Sequence, residues 1–246
     1  MLPPKLAQIL LNLCGPLPKD TTILDPFCGT GVVLQEALLM GYNVYGTDKD
    51  ERMVRYTDKN LEWLTRKCFR GFEGGTERGS AFAPWDARAK RGSSAARPWR
   101  PPLGTRKAEG LRAGSTRPEK PLKTFECGDA MSFRWSQPFG AVAAEIYLGP
   151  PMSDPPADIK LKAVKEECGA IFTGFLKNLA PQITPDTPIV LAIPAWRRRD
   201  GSFARLKTID AIENLGYNVI NKSADGLLYA RDNQVVAREI IVLRKK

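Results

Sequence analysis

Histidine is absent from this 246-residue chain. No Ser-His-Asp or Cys-His catalytic pair can form without it, and no zinc site that uses imidazole. Cysteine is sparse: Cys14, Cys28, Cys68, Cys127 and Cys168 are scattered, with no C-x-x-C pair. That excludes a disulfide framework or a metal knuckle and fits reduced thiols; no metal is expected. No apolar run approaches the roughly 20 residues a membrane helix needs, and the start, Met1-Leu-Pro-Pro-Lys5, lacks the character of a signal peptide. A cytoplasmic protein without membrane attachment is the expectation.

What is present divides unevenly. The chain is 43% apolar and 26% charged, the balance of a soluble globular protein, with a net charge of +10. Between Arg70 and Lys123 there are 13 Lys/Arg against 5 Asp/Glu, so this one stretch carries most of the surplus. It also holds 8 Gly and 6 Pro but only three aliphatic residues, Leu103, Leu111 and Leu122. Such a composition cannot bury enough apolar surface to offset its ordering entropy, so 70–123 is expected to be a disordered insertion in a single domain. It reads as a tolerated surface insertion, or a segment translated out of frame, more readily than as a phosphate-gripping arm. The global charge is then weak support for nucleic-acid binding.

Elsewhere strands and helices alternate. Helices are expected at Leu6–Leu13, Gly31–Met40, Glu51–Arg66, Ala157–Leu179 and Phe203–Leu215. Strands are expected at Thr21–Asp25, Asn43–Asp48, Lys123–Cys127, Ala141–Tyr147, Pro188–Pro194, Tyr217–Lys222 and Val235–Arg244. This alternation implies an α/β fold with a mostly parallel sheet covered on both faces. The closing pair, joined without a helix, adds an antiparallel edge strand.

The segment Asp25-Pro-Phe-Cys-Gly-Thr-Gly31 leaves one strand and opens the next helix. Gly29 and Gly31 let backbone approach a ligand at the carboxyl end of a strand, where open α/β sheets bind cofactors. Asp48 ends the following strand, placed to accept from both hydroxyls of a ribose. Leu34 stands where a dinucleotide fold would carry its third glycine, and no lysine follows to make a phosphate loop. Asp129, in Gly128-Asp-Ala130 after a short strand, is placed to accept from an adenine amino group; as a residue it is equally a turn cap. Cys28 has no base beside it and reads as a small filler.

These elements resemble the seven-stranded, Rossmann-like class I methyltransferases that use S-adenosyl-L-methionine, in particular those acting on amino groups, which carry D-P-F-x-G-[ST]-G. Pro4-Lys-Leu-Ala7 ahead of the glycine turn, Glu145-Ile-Tyr-Leu-Gly-Pro-Pro151, and Tyr229-Ala-Arg231 followed by Val236-Ala-Arg238 narrow the likeness. Together they are similar to the catalytic domain of the THUMP-associated tRNA guanosine-N2 methyltransferases, over about 190 residues. The resemblance implies that Asp25, Phe27, Gly29, Gly31, Asp48 and Asp129 hold the cofactor, Phe27 against its methionine arm.

It also implies a D-P-P-Y loop after the fourth strand, which orients the target amine and stacks the base. Here the loop departs from that pattern. Glu145 stands for the carboxylate, Ile146 and Tyr147 for the prolines, and Leu148 for the aromatic. Glu145 as acceptor from the amine and Tyr147 as the stacking ring are the expected catalytic residues. A shifted register, Leu148-Gly-Pro-Pro151, restores the prolines but loses the carboxylate. Asp154-Pro-Pro-Ala157 spells the acidic form yet lies far past the strand and reads as a helix opening. Trp196-Arg-Arg-Arg-Asp200 is a candidate phosphate contact with a tryptophan for a base, or a solvated loop.

The expected function is S-adenosylmethionine-dependent methylation of an exocyclic base amine in RNA, foremost guanine N2 of tRNA. The alternatives are a DNA adenine-N6 or cytosine-N4 methyltransferase, and a non-catalytic cofactor-binding module that aids an RNA-binding partner. RNA capture would fall to a separate subunit, the insertion or surface arginines.

Overall fold

In a computed structural model of the chain, residues 2–68, 122–206, 212–221, 226–232 and 234–246 are described. The expected insertion, up to residue 121, lies outside them, as do residues 207–211 of the last expected helix.

The N-terminal helix α1 (Pro4–Leu13) starts two residues ahead of the expected boundary because Pro4 occupies the first helical position, where its missing N–H costs nothing. Leu6, Ala7, Leu10 and Leu11 recur on its buried side. Strand β1 (Thr22–Asp25) leads through the glycine turn into α2 (Val32–Leu39). Strand β2 (Asn43–Asp48) leads into α3 (Glu51–Cys68), and β3 (Lys123–Cys127) follows the insertion. Strand β4 (Ala141–Glu145), helix α4 (Asp158–Leu179) and strand β5 (Ile189–Arg197) complete the alternating part.

The sheet runs β3-β2-β1-β4-β5, all parallel, and continues to β9 (Val236–Lys245) and then β7 (Tyr217–Val219). Strand β9 is antiparallel to both its neighbours. These seven strands make the expected mixed sheet.

Two short strands were not anticipated: β6 (Phe203–Ala204) folds back on β5, and β8 (Leu227–Tyr229) on β9. The helix expected from Phe203 therefore does not start there. Asp200-Gly201-Ser202 turns the chain instead, with Gly201 at φ 83°, and Phe203 pairs with Arg197. Of the expected span Phe203–Leu215, Phe203–Ala204 is strand and 212–215 a 3-10 turn.

Side chains alternate between the two faces of the sheet, as a doubly covered parallel sheet requires. Leu24, Val142, Ala144, Ile189, Leu191 and Ile193 point into a core closed by Phe172, Phe175, Leu176 and Leu179 of α4. Ile23, Val44, Ala141, Ala143, Val190 and Ala192 point into the opposite core under α1 and α2. The sandwich fixes the carboxyl ends of β1, β2 and β4 side by side, and the acidic residues are there.

Candidate cofactor and amine site

Asp25, Asp48 and Glu145 end β1, β2 and β4 respectively. Two cavities open at this edge. One, about 320 Å³, is lined by Asp25, Phe27, Gly29, Thr30, Met53 and Glu145, among others. The other, about 290 Å³, is lined by Phe27, Asp48, Lys49, Asp129, Glu145 and Tyr147, among others. Phe27 and Glu145 border both, so the structure brings most of the sequence-derived candidates around one divided hollow.

The turn that builds it is held by short-range hydrogen bonds. The Phe27 N–H donates to Asp25 Oδ1 at 3.1 Å, the Gly31 N–H to the Cys28 carbonyl at 2.7 Å, and the Gly29 N–H to Asp48 Oδ2 at 3.0 Å. The other Asp48 oxygen accepts from the Asp50 N–H at 2.9 Å. Asp48 thus braces the glycine turn while bordering the cavity, and each of its oxygens retains a second acceptor direction.

The two glycines serve different ends. Both sit at positive φ, 54° for Gly29 and 84° for Gly31. A Cβ on Gly29 would meet nothing nearer than the Phe27 carbonyl at 4.0 Å, so the space before it is open to a ligand. A Cβ on Gly31 would come within 2.9 Å of Leu61 and 3.0 Å of Thr57 on α3. Gly31 therefore lets α3 pack against the turn; it does not line either cavity.

Leu34 fits in the same way. It faces Gly46 of β2, where a Cβ would lie 2.5 Å from Leu34 Cδ1, so the small residue of the helix–strand contact is on the strand. Cys28 is buried, and burial followed by the nearby Asp25 charge pushes its thiol well above the usual range, as suits a filler.

The hollow carries four carboxylates, Asp25, Asp48, Asp129 and Glu145, with Lys49 in its lining and Arg238 paired to Glu145. Asp25 is buried, and desolvation raises its carboxyl well above the ordinary carboxylate range. The Phe27 N–H opposes that rise, while the charges of Asp48 and Glu145 add to it. A cationic ligand is what such a pocket stabilises. Asp129 is exposed; one oxygen caps the turn by accepting from the Met131 N–H at 2.9 Å, and its side chain also borders the cavity. The turn-cap reading is thus observed, and the side chain is also within the lining of the cavity.

Glu145 lies at the ladder's end, as the unshifted register requires, but not as an isolated acceptor. Arg238 Nε donates to Glu145 Oε1 at 2.8 Å, with both side chains largely buried. The motif Val236-Ala-Arg238 gives no sign of this contact: Arg238 arrives through the antiparallel pairing of β9, which places it opposite Pro194. In the shifted register Leu148 lines the cavity of Asp48 and Asp129, while Gly149, at φ 85°, lies where a Cβ would be 2.7 Å from Val164 of α4. Asp154 is exposed and borders neither cavity, and Ala157 caps α4.

Tyr147 borders the cavity of Asp48 and Asp129, with Lys49 Nζ 5.8 Å from its ring centroid. Burial and then the Glu167 charge raise its hydroxyl above the ordinary value. Trp196 is fully buried in the core and cannot stack on a base, which corrects the expectation for that loop. Among the described residues no group of three or more His, Cys, Asp or Glu could hold a metal, and no helix is long and apolar enough to cross a membrane.

Residues 1–68 match the RMKL-like methyltransferase domain. A tRNA (guanine(10)-N2)-dimethyltransferase of Methanothermobacter thermautotrophicus is 56% identical over 59 residues, 24% of this chain and 17% of that protein. Its counterpart from Pyrococcus abyssi is 48% identical over 68 residues, 28% and 20% of the two chains. The match thus spans about a fifth of these relatives' length. Among solved structures, a glycopeptide N-methyltransferase complexed with S-adenosyl-L-methionine superposes at a TM-score of 0.52 with 12% identity, covering 99% of this chain and 94% of that one. The ribosomal protein L11 methylase of Lactobacillus delbrueckii subsp. bulgaricus gives 0.51 with 10% identity, covering 98% and 78%. The chain thus shares the fold of these methyltransferases, and its first 68 residues, glycine turn and Asp48 included, match the RMKL-like methyltransferase domain.

Proposed function

We propose that this chain is an S-adenosyl-L-methionine-dependent RNA methyltransferase acting on an exocyclic base amine, with guanine N2 of tRNA as the target. The observation that carries this is the trio of carboxylates, Asp25, Asp48 and Glu145, around a hollow that opens on Gly29. The residues fit the cofactor: a buried, partly desolvated carboxylate suits a sulfonium and ammonium, and the free space at Gly29 admits its chain.

In this reading Asp48 accepts from the ribose hydroxyls, Asp129 from the adenine amino group, and Phe27 packs against the methionine arm. Gly31 belongs to the cofactor site through the turn it shapes. When bound, the cofactor supplies an electrophilic methyl carbon. The chain's own part is alignment. Glu145, tethered by Arg238 through one oxygen, keeps the other to accept from an N–H of the amine, turning the nitrogen's lone pair towards the methyl. Tyr147 presents an aromatic face beside it. The names of the relatives support a tRNA substrate; the proposal includes a cytoplasmic setting, with RNA captured by surface arginines, by the segment 70–123 or by a separate subunit.

The test is incubation of purified protein with methyl-labelled cofactor and separate tRNA, rRNA and DNA pools, followed by nucleoside mass spectrometry. Label in N2-methylguanosine from tRNA is expected. Label confined to DNA would replace this reading with that of a DNA amino-methyltransferase. The tethering of Glu145 by Arg238 favours one further reading, a cofactor-binding module without catalysis. It predicts calorimetric binding of the cofactor, no transfer to any pool, and an unaltered cellular role for Glu145→Ala.

A further inference from the structure

Strand β5 does not stop at the site. In register, Glu145 pairs with Ala192, and the five residues from Ile193 to Arg197 carry β5 about 16 Å further past that edge. There β5 and β6 form a turn carrying Arg197, Arg198 and Arg199, beside the loop that leads from β8 to β9 and holds Arg231. The two segments, more than thirty positions apart, are locked together. Arg197 donates from Nε to the Gln234 carbonyl at 3.4 Å and from Nη2 to the Arg231 carbonyl at 3.3 Å.

Each anchoring arginine lies near an aromatic ring. The Arg197 guanidinium is 4.9 Å from the Phe203 centroid and that of Arg231 5.9 Å from the Tyr229 centroid. Arg198, Arg199 and Arg231 are exposed. Two acids share these turns. Asp200 closes its own turn, accepting from the Ser202 N–H at 2.9 Å and the Ser202 hydroxyl at 2.7 Å, and Asp232 is exposed.

Among the described residues none of these four arginines makes an ion pair, in contrast to the exposed arginines of α3. There Arg52 is 2.7 Å from Asp50, Arg55 is 3.0 Å from Glu51, and Arg66 pairs with Glu62. Arg197 is braced by backbone carbonyls, Arg197 and Arg231 lie beside rings, and among the described residues none of the four is ion-paired, with Asp200 within electrostatic reach of Arg198. Exposed cations without ion-pair partners suit a polyanion, because releasing its counterions requires charge that is not already paired.

We infer that the β5–β6 turn and the β8–β9 loop form the docking surface for the RNA backbone: Arg198, Arg199 and Arg231 contact phosphates, and Arg197 holds the two loops in register. This rests on the RNA methyltransferase reading and names where the substrate sits, on the β5 side of Glu145.

The test is binding of an unmodified tRNA transcript over a range of salt concentrations. Arg198→Ala/Arg199→Ala/Arg231→Ala is expected to weaken binding by at least about tenfold and to lower the slope of log K against log salt by about two to three, one phosphate contact per arginine. Arg198→Glu/Arg199→Glu is expected to weaken it further, with cofactor affinity and melting temperature unchanged in every variant. Arg52→Ala/Arg55→Ala on α3 serves as the charge-matched control and is expected to bind as wild type. Wild-type affinity and slope in the triple variant would overturn the inference, as would an equal loss in the α3 control, while leaving the methyltransferase reading intact. Failure of the wild type to bind the transcript would overturn the inference, and binding without methylation would overturn the methyltransferase reading alone.

Discussion

Gly29 and Gly31 share a turn and a positive φ, yet substitution should separate them. Gly31→Ala forces a methyl against Leu61 and Thr57 as well as straining the backbone, and is expected to cost about 2–4 kcal/mol in denaturant titrations. Gly29→Ala meets no neighbour, so its stability loss is expected near 1 kcal/mol, roughly the strain alone, with a disproportionate loss of cofactor affinity by calorimetry. Equal effects would remove Gly29 from the ligand's path.

Asp25 carries a pH dependence of definite sign. Its native pKa is raised, so the folded ligand-free chain holds this proton more tightly than the unfolded one. The stability it contributes is complete below the unfolded value, near 4, and is lost as pH rises through the raised native value. Asp25→Asn, whose side-chain oxygen still accepts from the Phe27 N–H, should flatten that decline in thermal melts. A cationic cofactor favours the carboxylate, so its affinity should rise with pH over the same window, with proton release visible as a buffer-dependent calorimetric enthalpy. Both effects should vanish in Asp25→Asn.

Among the elements, the fit of α2 onto β2 depends on a large residue facing none. Leu34 fills the space above Gly46, the reverse of the arrangement in which a glycine in the helix admits a side chain from the strand. Gly46→Ala places a methyl within 2.5 Å of Leu34 Cδ1 and 3.2 Å of Cys28 Cβ, and is expected to cost about 1–3 kcal/mol. In Gly46→Ala/Leu34→Ala the two losses should be less than additive, since the second substitution vacates the space the first needs. Additive losses in a double-mutant cycle would show that the contact does not set the packing of α2. Strand β9 matters at the same scale, because its antiparallel register delivers Arg238 to Glu145.

For the whole molecule, the ends that flank the insertion are close: the Lys123 amine donates to the Leu61 carbonyl at 3.5 Å and also bonds Thr65 Oγ1, both on α3. Replacing residues 70–119 with a short Gly/Ser linker is therefore expected to preserve the sheet and cofactor affinity, measured by circular dichroism and calorimetry. Loss of folding would make the segment part of the core.

The residues of the first 68 positions announced themselves, because a strand, a tight turn and a helix are neighbours in sequence and their chemistry is local. Asp25 and Asp48 end strands whose apolar runs are legible, and Phe27, Gly29 and Asp129 lie in the turns just beyond β1 and β3, so the alternation of elements brings all five to one edge of the sheet. Contacts between distant segments had no such trace. Arg238 at Glu145, Gly46 under Leu34, the burial of Trp196, and the meeting of Arg197 with Arg231 all arise from strand register and helix packing, which one-dimensional periodicity does not encode. Local patterning determined the fold and the acidic edge of the sheet; only tertiary pairing decided which charges meet, because a pairing shift of one residue turns every side chain of a strand to the other face.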